Sequence, residues 1–232
     1  MKIAVMQPYF FPYVGYFHLV NAVDKFIILD DVNYINRGWI NRNRILVNGK
    51  QHLFTLPLKE VSQNKLINEI ELLGDSKWQN NFIKTILFNY KRAPNFEPVY
   101  NLILDILKNE NTNISKFVGN SIIKVSQYLH LNPEFAYSSD IIKSNNYKGQ
   151  DKLIEICKLL GADNYINSFG GLKLYTKSDF EEYLVTLKFL KSNIIPYNQD
   201  QKAFVPNLSI IDVLMYNSPE ELKQQLASYE LI

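Results

Sequence analysis

The chain opens on a short apolar run, Lys2-Ile3-Ala4-Val5-Met6, with the length and content of a buried strand. Polar, aromatic and proline residues follow as far as Gly15. Phe17, Val20 and Val23 then recur at helical spacing, and residues 25–29 form a second apolar strand that ends on the paired carboxylates Asp30 and Asp31. A strand, a helix and a strand in so short a stretch predict a tight parallel unit. Residues 44–59 instead alternate polar and apolar positions around Asn48-Gly49, a strong hairpin signal, so an antiparallel ribbon is expected next.

From residue 76 to residue 131 the period becomes helical. Phe82, Ile86, Leu87 and Tyr90 form one stripe, Leu102, Ile103, Ile106 and Leu107 a second, and Phe117, Val118, Ile122, Val125 and Leu129 a third, with Pro94 and Pro98 marking the break between the first two. Residues 150–160 carry another apolar helical face, closed by Gly161; residues 164–168 are strand-like and Gly170-Gly171 ends them. Ser178-Asp179-Phe180-Glu181 and Ser218-Pro219-Glu220-Glu221 read as capping boxes, and Ser209 with Asp212 has the same spacing. Strands and helices therefore alternate at both ends of the chain. This predicts an α/β fold with a mostly parallel, Rossmann-like sheet and a β-hairpin, as one domain over residues 1–232 with a helical subdomain at about 76–131.

The composition, 47% apolar and 21% charged, suits a protein that buries a full core. A net charge of +2, from 25 basic and 23 acidic side chains, gives no global reason to expect nucleic acid or an anionic membrane as partner. Cys157, the single cysteine, lies on the apolar stripe with Leu153, Ile154 and Leu160 and reads as a core thiol. His18, His52 and His130 are too scattered for a metal site. No apolar run approaches the ~20 residues of a membrane span, and Met1-Lys2 leads into no signal-peptide core. A cytoplasmic protein is expected.

Ligands of open α/β sheets bind beyond the carboxyl ends of the strands, so the loop at residues 7–16 and the Asp30-Asp31 pair should face one another across a crevice. The glycine-rich dinucleotide and phosphate-loop fingerprints are absent. Gln7, a primary amide at the end of a buried strand, must find partners or read a ligand. Tyr9, Tyr13 and Tyr16 can stack on a ring and donate hydroxyl hydrogen bonds, and Gly15 opens a helix whose first amides can hold a phosphate. Neighbouring strand residues point to opposite faces, so one of Asp30 and Asp31 enters the site to orient an amine or accept from a hydroxyl. His18 is the nearby candidate base.

Between Asp31 and Glu60 there is no acidic residue, while Arg37, Arg42, Arg44, Lys50 and Lys59 all fall there. Extended backbone would put Arg42 and Arg44 on one side and Asn41 with Asn43 on the other, and two guanidinium forks on one face suit a diphosphate. Trp39 is either a platform for a base or pyranose ring or a core plug. Further on, Lys148 and Gln150 sit at a helix start, and Asn167, Ser168, Gly170 and Gly171 at a strand end, both of them polar, glycine-bearing junctions of the kind that binding sites use.

The blocks Gln7-Pro8-Tyr9-Phe10-Phe11-Pro12-Tyr13-Val14-Gly15-Tyr16, Asp30-Asp31-Val32-Asn33-Tyr34, Trp39-Ile40-Asn41-Arg42-Asn43-Arg44, Lys148-Gly149-Gln150-Asp151, Tyr165-Ile166-Asn167-Ser168 with Gly170-Gly171, and Pro206-Asn207-Leu208-Ser209-Ile210-Ile211-Asp212 resemble the signature blocks of the WbqC-like family. That resemblance implies a place in O-antigen (lipopolysaccharide) and other surface-polysaccharide biosynthesis, as a glycine transferase that acylates an amino sugar. A narrower one, confined to the first strand, its proline turn and the helix after it, is to HIGH-motif nucleotidyltransferases and pantothenate synthetase. It implies carboxylate activation with ATP as cofactor, yet the two histidines of that motif fall on Tyr13 and Tyr16, so Arg42, Arg44 and Lys148 would supply the positive charge.

The expectation that follows is a transferase that attaches an aminoacyl group, glycyl in the leading case, to the amine of a nucleotide-linked sugar. The diphosphate would lie on Arg42, Arg44 and the first helix, with Asp30 or Asp31 orienting the amine. Its donor would be free glycine with ATP, or glycyl-tRNA as the one nucleic-acid partner. The alternatives are a nucleotide or sugar-nucleotide binding protein without catalysis, and a nucleotidyltransferase.

Overall fold

The computed structural model describes residues 1–141, 147–201 and 203–232. Strand β1 (Lys2–Met6) leads through helix α1 (Val14–Asn21) into β2 (Lys25–Ile28), and the hairpin β3 (Arg42–Val47) and β4 (Lys50–Thr55) follows. Three helices come next, α2 (Ser76–Tyr90), α3 (Phe96–Leu107) and α4 (Ile114–Tyr128). The chain then runs β5 (Glu134–Tyr137), α5 (Gly149–Leu160), β6 (Asn164–Ser168), α6 (Lys177–Glu181), β7 (Thr186–Ser192), α7 (Ile210–Tyr216), α8 (Pro219–Leu226) and β8 (Tyr229–Leu231).

Six strands form one sheet in the order β5-β2-β1-β6-β7-β8, parallel except for the pairing of β7 with β8, while β3 and β4 form a separate antiparallel ribbon. This is the Rossmann-like α/β architecture expected from the sequence. From β1 the chain winds outward to β2 and β5, then returns to the other side of β1 for β6 and β7, so the winding direction reverses between β1 and β6. These two strands pair only at Lys2 with Asn164 and Ile3 with Tyr165, whereas β6 and β7 pair along the whole of β6. Toward their carboxyl ends β1 and β6 part. Ligands of such sheets bind where the winding reverses.

Alternation along the strands sorts the core into two layers. Ala4, Phe26, Ile28, Ile166 and Leu190 face the larger one, shared with α1, the hairpin, α2, α3, α4 and α7. Ile3, Val5, Ile27, Tyr165, Leu187 and Phe189 face the other, which α5 and α6 cover with Leu153, Ile156, Cys157 and Phe180. Burial in this layer pushes the Cys157 thiol up to about 12. Each such aliphatic or aromatic side chain contributes about 1.5–3 kcal/mol on burial.

Local signals set most of the element ends. Asn48 and Gly49 both take left-handed backbone, φ 49° and 72°, as a tight hairpin turn requires. Ser218 and Glu221 form the expected capping box: Ser218 N–H donates to Glu221 Oε2 at 2.7 Å and Glu221 N–H to Ser218 Oγ at 3.3 Å. Two of the predicted boxes do not form. The Thr176 N–H donates to Gln150 Oε1 at 2.8 Å, α6 then starts at Lys177, and Ser178 lies inside the helix with its hydroxyl on Asp179. Ser209 caps α7, but Asp212 turns inward instead of returning to it.

Asp212 is fully buried, and three donors converge on its carboxyl: Tyr90 Oη at 2.6 Å, Tyr197 Oη at 2.6 Å and Gln199 Nε2 at 3.0 Å. Burial raises its pKa above the usual carboxylate range and the three donors pull against that rise. Tyr90 Oη also accepts from the Leu46 N–H at 3.0 Å, so one phenol links α2, β3 and α7. Tyr90→Phe should lower the stability by about 1.5–3 kcal/mol, because a charge-assisted bond is lost and a buried amide is orphaned. Urea unfolding reads this directly, and an unchanged midpoint would contradict the linking role.

Candidate functional site

The crevice between β1 and β6 has a volume of about 250 Å³ and is lined by Met6 and Gln7 at the end of the first strand and by Asn167, Ser168, Gly170 and Gly171 at the end of the second and in the turn after it. The Gln7 side chain forms no hydrogen bond with the described residues; only its carbonyl is used, by the Tyr16 hydroxyl at 3.0 Å. Asn167 is nearly buried and held, its Oδ1 accepting from the Ser168 N–H at 2.7 Å and its Nδ2 donating to Tyr165 Oη at 3.1 Å. Gly171 packs on that amide so closely that a Cβ would stand 3.0 Å from Asn167 Cγ. A Cβ on Gly170 would come no nearer than 4.0 Å to any neighbour, so the wall there is open.

The loop after β1 is rigidly placed. Phe11 takes left-handed backbone at φ 44°, and its carbonyl accepts from Asn43 Nδ2 at 2.7 Å and Ser209 Oγ at 2.8 Å. Tyr16 is buried below this loop and cannot stack on a ligand. The Tyr13 ring lies over Gly15, where a Cβ would fall 2.2 Å from Tyr13 Cε2; Gly15 thus serves this close approach and its amide is buried rather than offered to a phosphate. Tyr9 lines both the crevice and a second cavity of about 370 Å³, whose other walls are Pro12, Tyr13, Trp39, Asn43, Arg44 and Asn207. Burial raises the pKa of the Tyr9 and Tyr13 hydroxyls, so both remain donors at neutral pH.

In that second cavity Trp39 is 38% exposed, and the Arg44 guanidinium lies 5.0 Å from its ring centroid. Strand alternation does put Arg42 beside Arg44, at 5.8 Å from the same ring. Yet Arg42 Nε donates to the Gly38 carbonyl at 2.8 Å and Nη2 to that of Arg37, itself at φ 60°, so this guanidinium closes the loop ahead of β3 and does not line the cavity. Asn41 also turns inward, accepting from Tyr34 Oη at 2.8 Å and donating to the Leu56 carbonyl at 2.8 Å.

A third cavity, about 600 Å³, lies beyond the end of β2 against the start of α5 and is lined by Asp31, Lys148 and Lys152. The two adjacent carboxylates separate as alternation requires. Asp30 is fully buried and takes Ser115 Oγ at 2.9 Å, Ser139 Oγ at 2.8 Å and Ser139 N–H at 2.9 Å, fastening the end of β2 to α4 and to the turn after β5. Asp31 pairs with Lys152, Nζ to Oδ2 at 2.9 Å, and the same Nζ reaches the Asp31 carbonyl at 2.6 Å. Lys152 went unnoticed in the sequence, although its position one helical turn after Lys148 places both on one face. Gln150 points elsewhere, to Asp179 and Thr176. Gln7 and Asp31 therefore border different cavities along the sheet's carboxyl edge instead of facing each other across one. Among the described residues, no three His, Cys, Asp or Glu side chains gather as metal ligands, and no helix is long and apolar enough to cross a membrane.

His18 lines none of the three cavities. It is buried on α1 with Nδ1 3.2 Å from the Val14 carbonyl and Nε2 3.1 Å from that of Gln225, at the end of α8. Burial lowers its pKa below the ordinary 6.5, and the two carbonyls only partly offset this. The folded chain thus prefers neutral imidazole: its contribution to stability is complete above about pH 6.5 and is lost as the pH falls toward the depressed value. His18→Gln should flatten the decline in melting temperature between about pH 7.5 and pH 5.5. Parallel pH profiles of the two proteins would show the imidazole uninvolved.

A profile of the WbqC-like protein family matches residues 7–224. An uncharacterized protein of Mycobacterium tuberculosis is 27% identical over 216 residues, which cover 92% of each chain. No solved structure matches the chain significantly. The family match takes in the crevice, the aromatic loop, the hairpin and both capped helices at the far end, and the chain belongs to the WbqC-like protein family.

Proposed function

We propose that this protein is a transferase that attaches an aminoacyl group, glycyl in the leading case, to the amine of a nucleotide-linked amino sugar destined for a surface polysaccharide. The observation that carries the reading is the shared Tyr9 wall, which joins an aromatic, arginine-bearing cavity to the crevice where the sheet's winding reverses. A planar ring stacks on Trp39 and Tyr13, its phosphates meet Arg44, and the sugar extends past Tyr9 to the Gln7 and Asn167 amides. The sugar's amine then reaches beyond the crevice to the cavity at the end of β2, where Asp31 is the carboxylate left to orient it, since Asp30 is consumed inside the fold. Family resemblance supplies the acyl group and the polysaccharide setting.

A second reading, a nucleotide-sugar binding protein without catalysis, is favoured by one observation: two of the three candidate catalytic groups, His18 and Asp30, are committed to the interior, and the third is ion-paired. Incubation with a nucleotide-linked amino sugar and either glycine plus ATP or glycyl-tRNA decides between them. The transferase reading expects a mass gain of one glycyl unit, lowered about 10² to 10⁴-fold in Asp31→Asn with nucleotide affinity kept. The binding reading expects no product, but a stabilisation of about 2.7 kcal/mol by the nucleotide at 100 times its Kd.

The arginines provide a sharper test. Arg44→Lys should weaken nucleotide affinity by about 1–3 kcal/mol, because an ammonium cannot reproduce the planar fork. Arg42→Lys should instead lower the melting temperature, by releasing the Arg37 and Gly38 carbonyls, and leave Kd within twofold. Calorimetric titration and a thermal scan of each variant suffice, and an unchanged Kd in Arg44→Lys would remove the second cavity from the site.

A further inference from the structure

We infer that the cavity between the end of β2 and the start of α5 is an oxyanion site built on Lys152 and Lys148. Lys152 is only 9% exposed, and a buried ammonium needs acceptors for all three of its N–H bonds. One goes to the Asp31 carbonyl at 2.6 Å and the Asp31 carboxylate pairs with the ammonium through Oδ2 at 2.9 Å, and no other described residue accepts from it. Lys152 borders a space of about 600 Å³, large enough for an amino acid or the phosphate end of a nucleotide. One turn earlier on the same face of α5, Lys148 is exposed and forms no ion pair with the described residues.

Among the described residues, the charged side chains lining this space are Asp31, Lys148 and Lys152, two positive and one negative. The Asp31–Lys152 pair accounts for one lysine; Lys148 and the remaining Lys152 donor are answered by a single oxyanion, a carboxylate or a phosphate, resting on both ammonium groups. This gives the site the positive charge that Arg42, turned back on its own loop, does not provide. Which anion it takes rests on the proposed function: the carboxylate of a free amino-acid donor, or the phosphates of the nucleotide.

Titration calorimetry separates these on the intact chain, with glycine, inorganic pyrophosphate and a nucleoside diphosphate as probes. The proposal expects at least one probe to bind with an affinity that falls on raising the salt concentration, and Kd to rise tenfold or more in Lys148→Gln. Lys191→Gln, a surface variant on β7 that removes the same charge, should leave it unchanged. Glycine alone binding assigns the site to the donor's carboxylate; pyrophosphate and the nucleoside diphosphate binding assign it to the nucleotide. Lys152→Gln leaves Asp31 without its counter-charge and is informative only if it folds, so Lys148→Gln and the charge-reversing Lys148→Glu decide. No binding of any probe, or equal binding by wild type and both Lys148 variants, overturns the proposal. Because the readout is binding, a failed transferase assay leaves this result standing.

Discussion

The carbonyl of Phe11 is the joint on which the candidate site hangs. A bulky aromatic residue at φ 44° costs of the order of 1–3 kcal/mol, so the chain keeps this conformation only where its surroundings enforce it. Asn43 from the hairpin and Ser209 from the cap of α7 both donate to that one oxygen, while the Phe10 N–H donates to the Ile40 carbonyl at 3.1 Å. Two segments distant in sequence, residues 40–43 and Ser209, thereby fix one turn. That turn in turn aims Tyr9 and Tyr13 outward and drops Tyr16 into the core. Ser209 is therefore both a helix cap and a strut of the loop, two duties that its sequence context shows only in part.

The contrast between Asp30 and Asp31 shows how a strand end can serve architecture and chemistry at once. One carboxylate is sealed by two serine hydroxyls and an amide; the next is paired at the rim of a cavity. The same division runs along β3, where Asn41 and Asn43 hold buried carbonyls while Arg42 and Arg44 flank Trp39 outside. Inward polar groups place the loops; of the two outward arginines, Arg42 ties down the loop ahead of β3 and Arg44 lines the second cavity.

What the sequence made legible was what depends on period and on neighbours. The strands β1, β2 and β6, the Asn48-Gly49 turn, the three middle helices and the Ser218 box rest on local patterns, and the reversal between β1 and β6 follows once the strands are ordered. The unreadable part is long-range and polar. Tyr90 meets Asp212 across 122 positions, and nothing near either residue announces it. Arg42 was placed on the right side of its strand, but periodicity cannot say that a guanidinium will turn back to the carbonyls of Arg37 and Gly38. Ser178 matched a capping pattern and lost to a tertiary bond from Thr176 to Gln150. His18 is near the first loop in sequence, whereas the helix turns its ring inward against α8.

Cys157 has a consequence of a different kind. With its thiol wholly buried on the inner face of α5 and its pKa raised to about 12, it carries almost no thiolate while the chain is folded. Exposed thiols ionise near pH 8.5 and react readily. The speed at which a thiol reagent modifies this protein is thus a clock for opening of the layer formed by α5, β1 and β6, and it comes with the natural sequence, needing no engineered label.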